Sequence, residues 1–267
     1  KSIRNFLDTR KNHPNRGTGR LKLGEILLLR AAEANKDADP TQDNNEAIQN
    51  YESAHKLFEG TIQELAAVLE NIKGARTDAS DTKAVAYRKK VQQDLRQAQL
   101  LSAKSIEERG RSRAEGSKPR EADLKTAEKM FTDLYLKEQR MVGVRNYSLY
   151  YRSLIQRDLG KKSDAIDGFQ RVADLQNIDA LRPLQTVANT ELLILLAAEG
   201  KFQPAVTRAE KWVAGLRPDE KNTVETSKLK LELGKAKIAW ANSLKKADAQ
   251  DSVAKRLIRD TRSDLRS

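Results

Sequence analysis

Two glycine-lysine pairs lie 40 residues apart, Gly160-Lys161 and Gly200-Lys201, each between stretches where apolar residues recur every three or four positions. That arrangement constrains the fold more than any other feature of the chain. A glycine just past a helix supplies the left-handed backbone that side-chain-bearing residues resist. Apolar residues at three-four spacing make one face of a helix. Before Gly160 the helix covers Arg145–Leu159. After it, Ser163 is placed to cap the next helix, with Asp164 and Asp167 in its first turn and Ala165, Phe169, Val172 and Leu175 on its apolar face. One unit later Thr186–Glu199 is strongly apolar, and Ala205, Ala209, Trp212 and Val213 form the next face. Pro204 is tolerated there because it falls in a first helical turn, and Pro218 interrupts the chain.

The rest of the chain reads the same way. Only 13 glycines and 6 prolines are available to break helices, and helix-forming residues dominate. Ser2–Lys11 reads as a short helix, His13–Gly19 as a loop, and Leu21–Asn35 as an apolar helix. Lys36–Asn45 is a polar loop, with Asp43 and Glu46 as a capping pair for the helix that follows. That helix runs to about Ile72 with the stripe Ile48, Tyr51, His55, Phe58, Ile62, Leu65, Leu69, Ile72. Gly74–Ser80 is a turn. Asp81–Glu108 is a helix of roughly 42 Å, with Val91, Leu95, Ala98 and Leu101 inward. Arg109–Arg120 reads as a basic linker open to disorder and proteolysis. Glu121–Arg140 presents Leu124, Ala127, Phe131, Leu134 and Tyr135. Asn222–Lys246 carries Leu229, Leu233, Ala236, Trp240 and Leu244 on one face, and a charged last helix, Asp248–Leu265, caps the end.

The pattern Gly160-Lys-x-x-Asp-Ala-Ile-x-x-Phe, followed by Gly200-Lys-Phe-x-x-Ala, resembles the turn and second helix of tetratricopeptide repeats. Ala165 and Phe169 match the small-then-bulky pairing of that family, whereas Ala209 stands where a bulky residue is usual. Leu23-Gly24 with Leu27 resembles the family's first-helix signature. The resemblance covers residues 145–218 best. It implies an all-α fold, a right-handed superhelical stack of antiparallel helical hairpins (a tetratricopeptide-like α-solenoid) of about 10–11 helices. It also implies a scaffold that binds proteins or peptides in a concave groove. One elongated domain is expected over 1–267: an N-terminal segment 1–19, a degenerate repeat 20–73, a long-helix hairpin 79–141 with its linker at 109–120, two repeat-like hairpins 145–218, and a C-terminal hairpin and cap 222–267.

Charge narrows the function. The net charge is +12, distributed in bands: +6 over Lys1–Lys22, −6 over Leu23–Ser80, +6 over Asp81–Arg120 and +5 over Lys137–Lys162. Bands of this kind steer charged partners. Four of the six tyrosines fall between Tyr135 and Tyr151. On a helix Tyr147, Tyr150 and Leu154 share one face and Tyr151, Ile155 and Leu159 another. Aromatic residues and arginines dominate binding hot spots, so Arg145, Tyr147, Tyr150, Leu154 and Arg157 are the candidate partner-binding set.

The same bands and rings suit nucleic acid or another polyanion, which ranks below protein because acidic residues intersperse nearly every helix. Self-association is a third reading. No cysteine is present, which excludes disulfides and thiolate metal sites. The two histidines, His13 and His55, belong to no metal or catalytic motif, and Glu107-Glu108 and Asp219-Glu220 read as surface or first-turn residues. No enzyme activity, cofactor or metal is expected. No apolar run reaches membrane-spanning length. The chain opens on Lys1, so a fragment or a processed product is expected, soluble, and cytoplasmic or exported after loss of a leader.

Overall fold

A computed structural model of the chain describes residues 2–9, 16–74, 82–176, 178–246 and 251–264. Among these residues the structure is all-α, with eleven α-helices, one 3-10 turn and no strand. The chain divides into two compact units, Lys1–Ile155 and Gln156–Ser267.

The first unit contains α1 (Ser2–Thr9), α2 (Arg16–Ala34), α3 (Asn45–Gly74), α4 (Thr82–Arg111) and α5 (Lys118–Lys137). It also contains most of α6 (Val142–Asp158). Helices adjacent in sequence pack on each other from α1 to α5, and α2 also reaches α4. The stripe on α3 folds inward as its spacing requires: Ile48, Tyr51, Phe58 and Leu65 are buried, and His55, Ile62, Leu69 and Ile72 are partly so. Against it α2 sets Leu21, Leu27 and Ala31. Gly17 and Gly24 bring the two helices together: a Cβ on Gly24 would lie 2.4 Å from Phe58 Cε1, and one on Gly17 2.9 Å from Leu65 Cδ2. Arg16–Gly19 is therefore helix rather than loop, because its glycine serves a close helix contact, not a turn. His13 and the turn expected at Gly74–Ser80 lie outside the described residues, apart from Gly74, which closes α3.

Two loops explain each other. Asn44, not Asp43, caps α3: its Oδ1 accepts from Ala47 N at 3.1 Å, and its Nδ2 donates to Ala34 O at 2.7 Å. Asp43 instead turns to the α4–α5 turn and accepts from Ala114 N at 2.8 Å. The backbone follows, with Asn44 N donating to Ser112 O and Glu115 N to Pro40 O, both at 2.8 Å. The α2–α3 loop exceeds a repeat turn because it spans to this second turn.

The segment Arg109–Arg120 is correspondingly built rather than loose. Arg109–Arg111 complete α4, and Gly116 turns the chain at φ 74°. Ser117 caps α5 through Arg120 N, with Pro119 in the first turn. Asp123 is gripped by Arg109 (2.6 and 3.0 Å) and Arg113 (2.7 Å). Burial raises the pKa of its carboxyl, but the two guanidiniums outweigh that and hold it below the usual range. Glu107, expected on the surface, is fully buried and paired with Arg111 at 3.0 Å.

The second unit contains α7 (Lys162–Ala173), a 3-10 turn (Asp179–Leu181), α8 (Arg182–Ala198), α9 (Phe202–Ala214), α10 (Val224–Lys246) and α11 (Asp251–Asp264). Its centre is α8, which packs on α7, α9 and α10. Both expected glycine stops hold, with φ 76° at Gly160 and 74° at Gly200. Ser163 does not cap α7; the helix opens at Lys162, behind Lys161, without a side-chain cap. Ala165, Phe169 and Val172 form its buried face.

Because α8 is enclosed, its polar residues are bonded. Gln185 Nε2 donates to Leu175 O at 2.7 Å, closing the end of α7. Thr186 Oγ1 accepts from Trp212 Nε1 at 3.1 Å, and Asn189 Oδ1 from Arg208 Nε at 2.9 Å. Glu220 lies before α10, not in its first turn, and takes both nitrogens of an Arg182 fork.

Candidate partner-binding site

The candidate residues on α6 separate into three situations. Arg145, Tyr147 and Tyr150 are half-buried in the first unit, the two tyrosines against Tyr151 and Arg145 against Tyr135. Leu154 is interior, 7% exposed. Arg157 falls in the second unit, where it pairs with Asp158 at 2.9 Å and with the buried carboxylate of Glu191.

The face is larger than the helical spacing indicates. Tyr151, assigned by spacing to another stripe, is its centre. Its ring stacks on Phe131 of α5 at 5.3 Å and on Tyr147 at 6.4 Å, and meets Tyr150 edge-on at 5.5 Å. One residue of offset on a helix is smaller than the reach of a tyrosine ring, so two stripes merge into one cluster. Lys104 of α4 donates to Tyr151 Oη at 3.3 Å and lies 5.1 Å from the ring centroid. Burial lowers the pKa of Lys104, but Tyr151 and Glu108 outweigh it, so the ammonium stays charged.

Beside this cluster, Tyr135 of α5 is flanked by two cations. The Arg145 guanidinium lies 4.9 Å and the Arg152 guanidinium 5.3 Å from its ring centroid. Seven residues apart on α6, the two arginines share a face. Among the described residues neither has a carboxylate within ion-pair distance, and the Nε of each is buried without an acceptor. Several other arginines are paired, among them Arg109, Arg113, Arg157, Arg182 and Arg208. Tyr135 and its two arginines thus combine an aromatic ring with positive charge that no carboxylate offsets.

Among the described residues, the one serine-histidine contact has the wrong order for nucleophilic chemistry. Ser102 Oγ meets His55 Nδ1 at 3.0 Å and donates to Glu59 Oε1 at 2.6 Å. The hydroxyl stands between imidazole and carboxylate, whereas a triad needs the imidazole between the other two. Ser102 is also fully buried. Burial, the largest influence, lowers the His55 pKa, so the ring is neutral and the trio ties α3 to α4. Among the described residues no group of three or more His, Cys, Asp or Glu side chains is placed to hold a metal. No described helix is long and apolar enough to cross a membrane. Compared with the known protein families, with curated proteins and with solved structures, the chain matches none.

Proposed function

We propose that the chain is a non-catalytic interaction scaffold that binds a peptide or protein segment. In this reading its helices form a tetratricopeptide-like right-handed superhelical stack of antiparallel hairpins, and the partner lies in the concave groove. The observation that carries the binding role is the α5–α6 face, where Arg145 and Arg152 flank Tyr135 without a carboxylate. Partly exposed aromatic rings give area at low entropic cost, and desolvated guanidiniums give direction. A helix or extended segment with acidic side chains would bring carboxylates to these two half-buried guanidiniums.

The test is selection of binding peptides from a displayed random library on the full chain, followed by titration. Arg145→Gln with Arg152→Gln, and separately Tyr150→Ala, are expected to weaken the selected peptides by at least about tenfold without shifting the unfolding midpoint. Peptides that bind every variant equally refute the assignment of this face.

The runner-up is polyanion binding, favoured by the same cations beside rings on which bases stack. A single-stranded oligonucleotide that binds with a steep salt dependence, while no peptide is selected, moves the function there. Self-association is the third reading, supported by Val224, Leu231 and Ile238, exposed at seven-residue intervals on α10. Mass that rises with concentration would favour it.

A further inference from the structure

We propose that the cleft between α9 and α10 binds a small amphiphilic anion, a carboxylate or phosphate ester carrying a short apolar body. The site lies wholly in the second unit and is independent of the arginine-tyrosine face. The cleft measures about 470 Å³, within the range of small-molecule sites. Its apolar part is Val213, Leu216 and Leu233, continuous with the core formed by Val206, Ala209 and Leu229.

Its charged part is three lysines. Lys230 and Lys237 stand seven residues apart on α10, either side of Leu233, and Lys221 comes from the preceding loop. The Lys237 side chain is only 4% exposed, a costly place for an ammonium. It pairs at 2.9 Å with Glu210 of α9, whose own side chain is 49% exposed. Among the described residues Lys221 and Lys230 have no carboxylate within ion-pair distance. Three ammonium groups against one carboxylate leave the cleft net positive, beside an apolar wall. A headgroup with one or two negative charges would be held by Lys221 and Lys230 at the opening. Its hydrocarbon would cover Val213 and Leu233. A purely apolar molecule would leave the lysines unmatched, and a bare anion would leave the wall wet.

The test is calorimetric titration of the full chain with octanoate and with octyl phosphate, against octanol and inorganic phosphate. Saturable binding of one or both amphiphiles is expected, with octanol and phosphate at least about tenfold weaker. Lys221→Gln with Lys230→Gln, both outside the buried core, is expected to reduce amphiphile affinity at least about tenfold with an unchanged circular dichroism spectrum. In the unsubstituted chain the methyl resonances of Val213, Leu216 and Leu233 are expected to shift on titration, and those of Val91 and Leu95 to stay in place. A stronger response to octanoate assigns the headgroup as carboxylate, and to octyl phosphate as phosphate ester. Absence of saturable binding by either amphiphile overturns the proposal. So does equal binding of octanol or phosphate, an unchanged affinity in the double variant, or methyl shifts away from the cleft.

Discussion

Gly24→Ala is the sharpest probe of how the first unit is assembled. Taken alone, the substitution favours α2, since alanine is about 1 kcal/mol better than glycine inside a helix. The tertiary structure opposes it. The added methyl would lie 2.4 Å from Phe58 Cε1 and 2.5 Å from Cζ, whereas carbon atoms settle at about 3.5–4.0 Å. Phe58 is fully buried, so its ring has no free space to retreat into. Either the ring or the whole of α2 must shift by roughly 1 Å, an overpacking that costs about 1–3 kcal/mol. With the gain in helix propensity deducted, the expected net destabilisation is up to about 2 kcal/mol. Urea denaturation followed by circular dichroism reads it as a lower midpoint with an unchanged slope.

A double-mutant cycle separates clash from propensity. Leucine lacks the two ring atoms nearest the added methyl. In the Phe58→Leu background Gly24→Ala should therefore be stabilising by up to about 1 kcal/mol, a coupling of about 1–3 kcal/mol. Gly143→Ala is the control: nothing lies within 4 Å of its Cβ position, so it should be neutral or stabilising by up to about 1 kcal/mol. If Gly24→Ala is as stabilising in the native background as in Phe58→Leu, α2 and α3 are further apart than the contact requires, and the reasoning fails.

Two further outcomes are expected from the second unit. Phe169, fully buried on α7, should cost about 3–5 kcal/mol when replaced by alanine, read as a lowered thermal midpoint; near-neutral behaviour would mean α7 presents another face inward. Glu220 should make folding acid-sensitive. Hydrogen bonds from Arg182 lower its pKa, burial opposes them and a bond from Arg217 N assists, leaving the carboxyl at about 2. The folded state then binds fewer protons than the unfolded chain, whose glutamate titrates near 4.3. This contribution is complete above about pH 4.3 and is lost as pH falls towards 2. Unfolding midpoints between pH 5 and 2.5 should fall less steeply for Glu220→Gln than for the native chain, and parallel curves would refute the assignment.

The features that the sequence determined by itself are those decided within about one helical turn. The stripe Ile48, Tyr51, Phe58, Leu65 follows from spacing, because residues three or four apart must share a face. The stops at Gly160 and Gly200 follow from backbone sterics, which act on one residue at a time. The concentration of tyrosine and arginine on α6 was equally legible, as was Phe169 as an anchor.

Tertiary structure decided wherever two nearby groups were locally equivalent. Asp43 and Asn44 are both good caps, and the choice fell to Asn44 because Asp43 bonds to Ala114, 71 residues away. Arg109–Arg120 has the composition of a loose linker, yet Asp123, Asn44 and Pro40 satisfy it. Gly17 looks like a loop residue until Leu65 arrives against it. Tyr151 joined Tyr147 and Tyr150 because Phe131 of α5 holds its ring, while Leu154 went inside and Arg157 to Glu191. The cleft of Lys221, Lys230 and Lys237 had no signal in the chain at all, since its lysines resemble any solvated helix surface until α9 lies beside them. The physical reason is common to all of these. Periodicity and backbone sterics act locally and are written in spacing. The burial of a charge, the partner of a cap and the depth of a ring depend on atoms brought up by chain closure, which spacing does not encode.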